Sequence, residues 1–187
     1  MTGARARLHA ARVTLADILV SLAVVGLVVG AMLVTLEQGH QAWSVGAARV
    51  EAQQSARAAL AWLTAELRGA GHGSTAQPAL SVVEPTRLVL HIDRNHDGVF
   101  AGAGEIVTWK LDHDILRRDA GAGAQPVING VRALAFRYFD GHGQETADPG
   151  AVRRVRIVLT TRADHARSLA TDLLGPTLTT EVRLRNR

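Results

Sequence analysis

Residues 18–36 read ILVSLAVVGLVVGAMLVTL, a run of nineteen residues without a charged side chain. A helix needs about 20 apolar residues to cross a hydrocarbon core of about 30 Å. The apolar region of a cleaved secretory signal peptide is shorter, at about 7–15 residues, and the small-residue cleavage site typical of such a peptide does not follow here. We therefore predict a transmembrane helix over residues 13–36, preceded by a basic leader over residues 1–12.

The charges around this run predict its orientation. Arg5, Arg7 and Arg12 supply three of the four excess positive charges, and no acidic residue precedes Asp17. Basic segments beside a membrane span remain in the cytoplasm, so we expect the N-terminus there and the C-terminal domain on the other side. From residue 13 onward, 18 basic residues face 17 acidic ones. This nearly neutral body argues against bulk attraction to nucleic acid.

The composition excludes several kinds of chemistry. The chain has no cysteine, which excludes disulfides, thiolate nucleophiles and cysteine-ligated metals. Its eight histidines are dispersed, and the sequence contains neither a nucleophile elbow nor a phosphate-binding loop. We predict that the protein is not an enzyme.

The sequence after the span predicts an α+β domain. Residues 37–73 remain compatible with a helix and end in the glycine-rich GAGHG. An apolar stripe in this segment consists of Ala56, Leu60, Leu63 and Leu67. Residues 74–187 instead contain six strand-like runs separated by turn formers, namely ALSVVE, RLVLHID, EIVTWKLD, ALAFRYFD, VRIVLTTR and TLTTEVRLR. We predict a β-rich globular head in which the second half of the long helix packs its stripe on an antiparallel sheet.

The start of the span also carries a recognisable pattern. The segment RVTLADILVSLAVVGLVVG begins at Arg12, and it resembles the G-F-T-L-x-E-L region of type IV prepilins and type II secretion pseudopilins. Arg12 and Val13 stand where the family has glycine and phenylalanine, while Thr14 and Leu15 match it. Further along, QQSARAALAWLTAELRGAG, EIVTWKLD and VINGVRALAFRYFDGHG are similar to the W-type minor pilins and the J-type minor pseudopilins.

This resemblance implies a pilin-like fold and a structural role. It implies processing between Arg12 and Val13 by prepilin peptidase, and a filament of the type IV pilus or type II secretion kind that starts from the inner membrane with its head in the periplasm. It also implies other minor pilins or pseudopilins and a major pilin as partners, with a place in a tip or initiation complex. Asp17 falls on the family's fifth mature position, where a carboxylate pairs with a neighbour's N-terminal ammonium. On the residues alone, Asp17 could equally be an acid at headgroup level.

The segment DRNHDG predicts either a calcium loop or a turn. It places Asp93, Asn95 and Asp97 at alternate positions with glycine at the sixth, as a Ca²⁺ loop requires. The twelfth position is Gly104, so Glu105 would close the site one residue late. The alternative is an Asx-rich hairpin turn without a cofactor, which we favour.

Arginines near the C-terminus leave a second function open. One strand-like run and its end carry Arg153, Arg154, Arg156 and Arg162, and a second run carries Arg183, Arg185 and Arg187 at alternate positions. Such a ladder could bind phosphates or acidic partners, but solvated strand faces explain it equally well. The alternative function is therefore an uncleaved, membrane-anchored periplasmic module that binds DNA or calcium.

Overall fold

A computed structural model describes residues 14–73, 77–162 and 174–186. The predicted processing site, Arg12 and Val13, lies outside these residues. Contacts divide the chain into two units between Ser44 and Val45. Helix α1, Leu15–Gly69, contributes residues to both units.

The first unit consists of the N-terminal part of α1. Its residues from 14 to 44 are exposed, although most of those in the run 18–36 are aliphatic. In the described chain, α1 is the one helix long and apolar enough to cross a membrane. A single N-terminal apolar helix of this kind fits a single-pass membrane anchor.

The second unit contains two antiparallel sheets. The first sheet has five strands in sequence order: β1 Leu80–Val83, β2 Arg87–His91, β3 Ile106–Asp112, β4 Ile115–Asp119 and β5 Gln125–Ile128. The second has three strands in sequence order: β6 Val131–Phe139, β7 Arg154–Arg162 and β8 Leu174–Arg183. Each neighbouring pair is antiparallel, as short connections allow.

The sequence prediction of one sheet with six strands was incomplete. It missed β4 and β5, which read ILRRD and QPVI. These strands are short, β4 is largely charged, and β5 contains Pro126, which is tolerated there because β5 is an edge strand. A hairpin turn at His113, with a positive φ of 57°, joins β3 to β4 and was not recognisable as a turn.

One hydrophobic core joins α1 to both sheets. All four residues of the predicted stripe are buried, as are Ala59 and Ala70 beside them. They pack in one cluster with Trp109 of the first sheet and Ile157 of the second. The prediction of an α+β fold, with the second half of a long helix on antiparallel β-structure, is confirmed.

Candidate functional site

The first candidate site is the apolar surface of α1 in the first unit. Leu15 is 79% exposed, Leu27 75% and Leu36 71%. Soluble proteins rarely leave so many large apolar side chains on one continuous surface. This surface therefore needs a lipid bilayer or other apolar helices around it.

Asp17 lies at the N-terminus of this surface and forms a reciprocal cap with Thr14. The Thr14 backbone N–H and hydroxyl both donate to Asp17 Oδ2, at 2.9 and 2.7 Å. The Asp17 N–H donates in return to Thr14 Oγ1 at 3.3 Å. This arrangement is a capping box, which satisfies backbone donors that a helix start leaves without partners. Among the described residues, no group donates a hydrogen bond to Asp17 Oδ1, which remains open to a further donor.

The DRNHDG segment, for which the sequence left a calcium loop and a turn open, forms a closed turn. Asp93, which is 3% exposed, accepts backbone N–H groups from His96 at 2.6 Å and Gly98 at 3.0 Å. Asn95 Oδ1 accepts the N–H of Asp97 at 2.9 Å, and the Asn95 amide donates to Asp97 Oδ2 at 2.8 Å. The side chains at the alternate positions thus bind the backbone and each other, as in Asx turns.

Glu105 closes this loop from the other end. Its carboxylate is 1% exposed, and Oε1 accepts the backbone N–H groups of Arg94 and Asn95 at 3.1 and 3.3 Å. Oε2 accepts those of Ala101 and Gly102 at 3.1 and 2.5 Å. Each oxygen therefore has two donors already, which uses the ordinary acceptor capacity of a carboxylate.

These contacts bear on the choice between a calcium site and a turn. The described part of the chain contains no group of three or more His, Asp or Glu side chains placed to hold a metal ion. A Ca²⁺ ion bound by Glu105 would have to displace backbone donors from it. The hydrogen bonds favour the turn, and calcium binding stays a prediction.

A buried carboxylate that the sequence analysis did not single out joins α1 to the first sheet. Glu66 is 7% exposed. Its Oε2 accepts the indole N–H of Trp109 at 2.7 Å, and its Oε1 accepts two N–H groups of Arg118 at 2.9 and 2.6 Å. The Arg118 guanidinium also lies over the Trp62 ring, 5.0 Å from its centroid. The buried charge of Glu66 is therefore paired with the partly exposed guanidinium of Arg118, as a buried charge requires.

Three arginines of the predicted ladder are paired with carboxylates. Arg154 and Arg156 both bind Glu181, at 2.9 and 3.0 Å, and Arg162 pairs with Asp114 at 3.1 Å. The hydrogen bond from Arg156 is the largest of the effects that lower the pKa of Glu181. These three arginines are consequently less available to a phosphate backbone than the sequence pattern suggested.

Comparisons with known proteins find likenesses among solved structures. No protein family and no curated protein matches the chain. A chain of the GspK–GspI–GspJ complex from the type 2 secretion system of enterotoxigenic Escherichia coli is similar at 15% identity, with a TM-score of 0.43. The likeness covers 71% of this chain and 97% of that one.

The sequence carried a signal for the Thr14–Asp17 cap but none for the Glu66 cluster. Thr14 and Asp17 have the spacing of a capping box directly before an apolar run, so that signal was present and was overlooked. Glu66 had no such signal, because its partners Trp109 and Arg118 are 43 and 52 residues away. The pairing of Trp109 with Arg118 across β3 and β4, together with the packing of α1 on that sheet, brings these three side chains together.

Proposed function

We propose that this protein is a structural subunit of a pilin-like filament, anchored in the inner membrane by the first part of α1. The observation that carries this proposal is the exposed apolar surface of α1 in the first unit, on the same helix whose later residues form part of the head's core. In a bilayer that surface is solvated by lipid. In a filament, the same surface packs against the helices of other subunits.

Asp17 gives this packing a register. A neighbouring subunit's N-terminal ammonium, lying among apolar helices, needs a counter-charge because an unpaired charge in such surroundings is costly. The cap leaves Asp17 Oδ1 for that ammonium, while Oδ2 holds Thr14. The carboxylate can therefore cap its own helix and pair with a neighbour at once.

The globular head supplies the contacts that select partners. Loops at the ends of two antiparallel sheets vary without disturbing the core, and they are the surfaces by which sister minor pilins or pseudopilins, and a major pilin, are recognised. We place the subunit in a tip or initiation complex, after prepilin peptidase has cleaved between Arg12 and Val13.

The test compares two substitutions in a strain that carries the protein's own assembly genes. Asp17→Asn removes the charge but keeps an acceptor for the Thr14 cap, whereas Thr14→Ala removes the two hydrogen bonds of the Thr14 hydroxyl and keeps the charge. We expect Asp17→Asn to abolish copurification of other pilin subunits from membranes and Thr14→Ala to retain it. Loss in Thr14→Ala alone would show that Asp17 acts only as a cap.

The alternative function, an uncleaved membrane-anchored module that binds DNA or calcium, predicts a different result. Such a module would not copurify with pilins in any variant, and its leader would remain attached. The pairing of Arg154 and Arg156 with Glu181 and the hydrogen bonds of Glu105 give this alternative less support than the filament role.

A further inference from the structure

A basic cavity lies at one end of the second sheet. It is open, has a volume of about 490 Å³, and is lined by Asp140, Gly141, His142, Gly143, Arg153, Arg154 and Arg183. The strand register brings these lining residues together, because Phe139 pairs with Arg154 and Arg154 with Arg183 across the three strands. The turn that follows β6 therefore lies beside the start of β7 and the end of β8.

The glycines of this turn let it lie close to the arginines. A Cβ on Gly143 would lie 3.0 Å from Arg154 Nη2, and the φ of Gly143 is 84°. A Cβ on Gly141 would lie 3.9 Å from the Arg153 side chain. A larger residue at Gly143 would push into the guanidinium and would be strained as well.

The carboxylate among these lining residues is occupied by its own turn. Asp140 Oδ1 accepts the backbone N–H groups of His142 at 2.8 Å and Gln144 at 2.9 Å. These hydrogen bonds, that of Gln144 first, hold the pKa of Asp140 below its usual range. Asp140 therefore fixes the turn and forms none of the ion pairs found with arginine in the described chain.

The three arginines of the cavity differ in how they are held. Arg154 is oriented by Glu181 at 2.9 Å and by the Phe139 ring, 5.6 Å from its guanidinium carbon. Arg153 donates from Nη1 to the carbonyls of Gly150 and Val152, at 3.0 and 2.9 Å. These carbonyls orient the guanidinium and leave its charge without a carboxylate in the described part of the chain.

Arg183 has no ion pair or hydrogen bond from its side chain within residues 14–73, 77–162 and 174–186. It is exposed at the end of β8. The cavity thus combines two guanidinium groups without a carboxylate partner, a third that is already oriented, and an imidazole. Guanidinium groups donate in a planar fork that matches two oxygens of one anion.

We propose that this cavity binds a small oxyanion, a phosphate or a carboxylate group, between Arg153 and Arg183. Arg154 adds its free N–H groups from the side facing Gly143, and His142 closes the rim. The proposal is independent of the filament role, since it concerns the head alone and uses none of the residues of the membrane segment.

The experiment measures thermal unfolding of the full chain in detergent micelles by tryptophan fluorescence. Inorganic phosphate or acetate is added at constant ionic strength, with chloride as the reference. We expect phosphate to raise the Tm by about 2 °C or more over chloride. A rise with acetate as well would identify any oxyanion as the ligand, and a rise with phosphate alone would identify the phosphate group.

Arg183→Gln is the decisive variant, because its side chain has no described partner and its loss leaves the fold intact. We expect it to weaken the apparent affinity at least about tenfold, the effect of losing a hydrogen bond to a charged group. Arg185→Gln is the matched control, since Arg185 is an exposed arginine on the same segment that does not line the cavity. Equal shifts in the wild type and Arg183→Gln, or no shift with either anion, would overturn the proposal.

Discussion

The indole N–H of Trp109 donates to the Glu66 carboxylate at 2.7 Å, which ties α1 to the centre of the first sheet. Trp109 is fully buried and Glu66 nearly so. This hydrogen bond therefore takes the place of hydrogen bonds to water for the indole N–H and for the carboxylate. Neither group can reach water again unless the core opens. With Arg118 on the other carboxylate oxygen, this contact holds the helix against the sheet in one position.

Replacement of Glu66 tests this contact. Glu66→Ala would leave the buried Trp109 N–H and the partly buried Arg118 guanidinium without their carboxylate, at a cost of about 3 kcal/mol. That corresponds to a fall in Tm of roughly 10 °C for a chain of this size. Glu51→Ala is the control, because Glu51 is exposed on the same helix and its loss should change the free energy of unfolding by less than about 0.5 kcal/mol. Equal losses in the two variants would refute the account of Glu66.

Gly73 and Gly123 form a matched pair for testing the Asp93 loop. Both have a positive φ, 92° and 95°, but a Cβ on Gly73 would overlap the Asp93 carboxylate whereas one on Gly123 would meet nothing within 4 Å. Gly123→Ala should cost about 1–2 kcal/mol from backbone strain alone. Gly73→Ala should cost about 1–3 kcal/mol more, from overpacking, as measured by denaturant unfolding. Similar costs would mean that Gly73 does not pack on Asp93.

The pair of arginines on Glu181 predicts a loss of stability in acid. The pKa of Glu181 is lowered from 4.5, first by its hydrogen bond from Arg156. A carboxylate with a lowered folded-state pKa stabilises the fold above its unfolded pKa, and this contribution is lost as the pH falls through the folded value. The Tm difference between wild type and Glu181→Gln should therefore be largest near pH 7 and shrink below about pH 4. A difference that is constant with pH would contradict this role.

Calcium addition distinguishes the two interpretations of the DRNHDG segment. Because backbone donors already occupy both oxygens of Glu105, we expect 1 mM CaCl₂ to change the Tm by less than about 1 °C relative to a chelator. A rise of several degrees that Asp97→Asn abolishes would instead establish a calcium site. Mg²⁺ at the same concentration controls for ionic strength.

The sequence predicted what depends on local periodicity and missed what depends on register. The spacing of Leu60, Leu63 and Leu67 was enough to identify the buried face of α1, since a helix places residues three and four apart on one side. The division into two sheets was not predictable, because it depends on which strands pair. For the same reason the sequence showed an arginine ladder at Arg154 and Arg156 but could not show that Glu181 lies opposite it.

The central claim is that the protein enters a pilin-like assembly pathway. The most direct test is the intact mass and N-terminal sequence of the protein from membranes, with and without coexpressed prepilin peptidase. We predict that the peptidase removes residues 1–12, so that the mature chain begins at Val13. A chain that still begins at Met1 or Thr2 when the peptidase is present would contradict the claim.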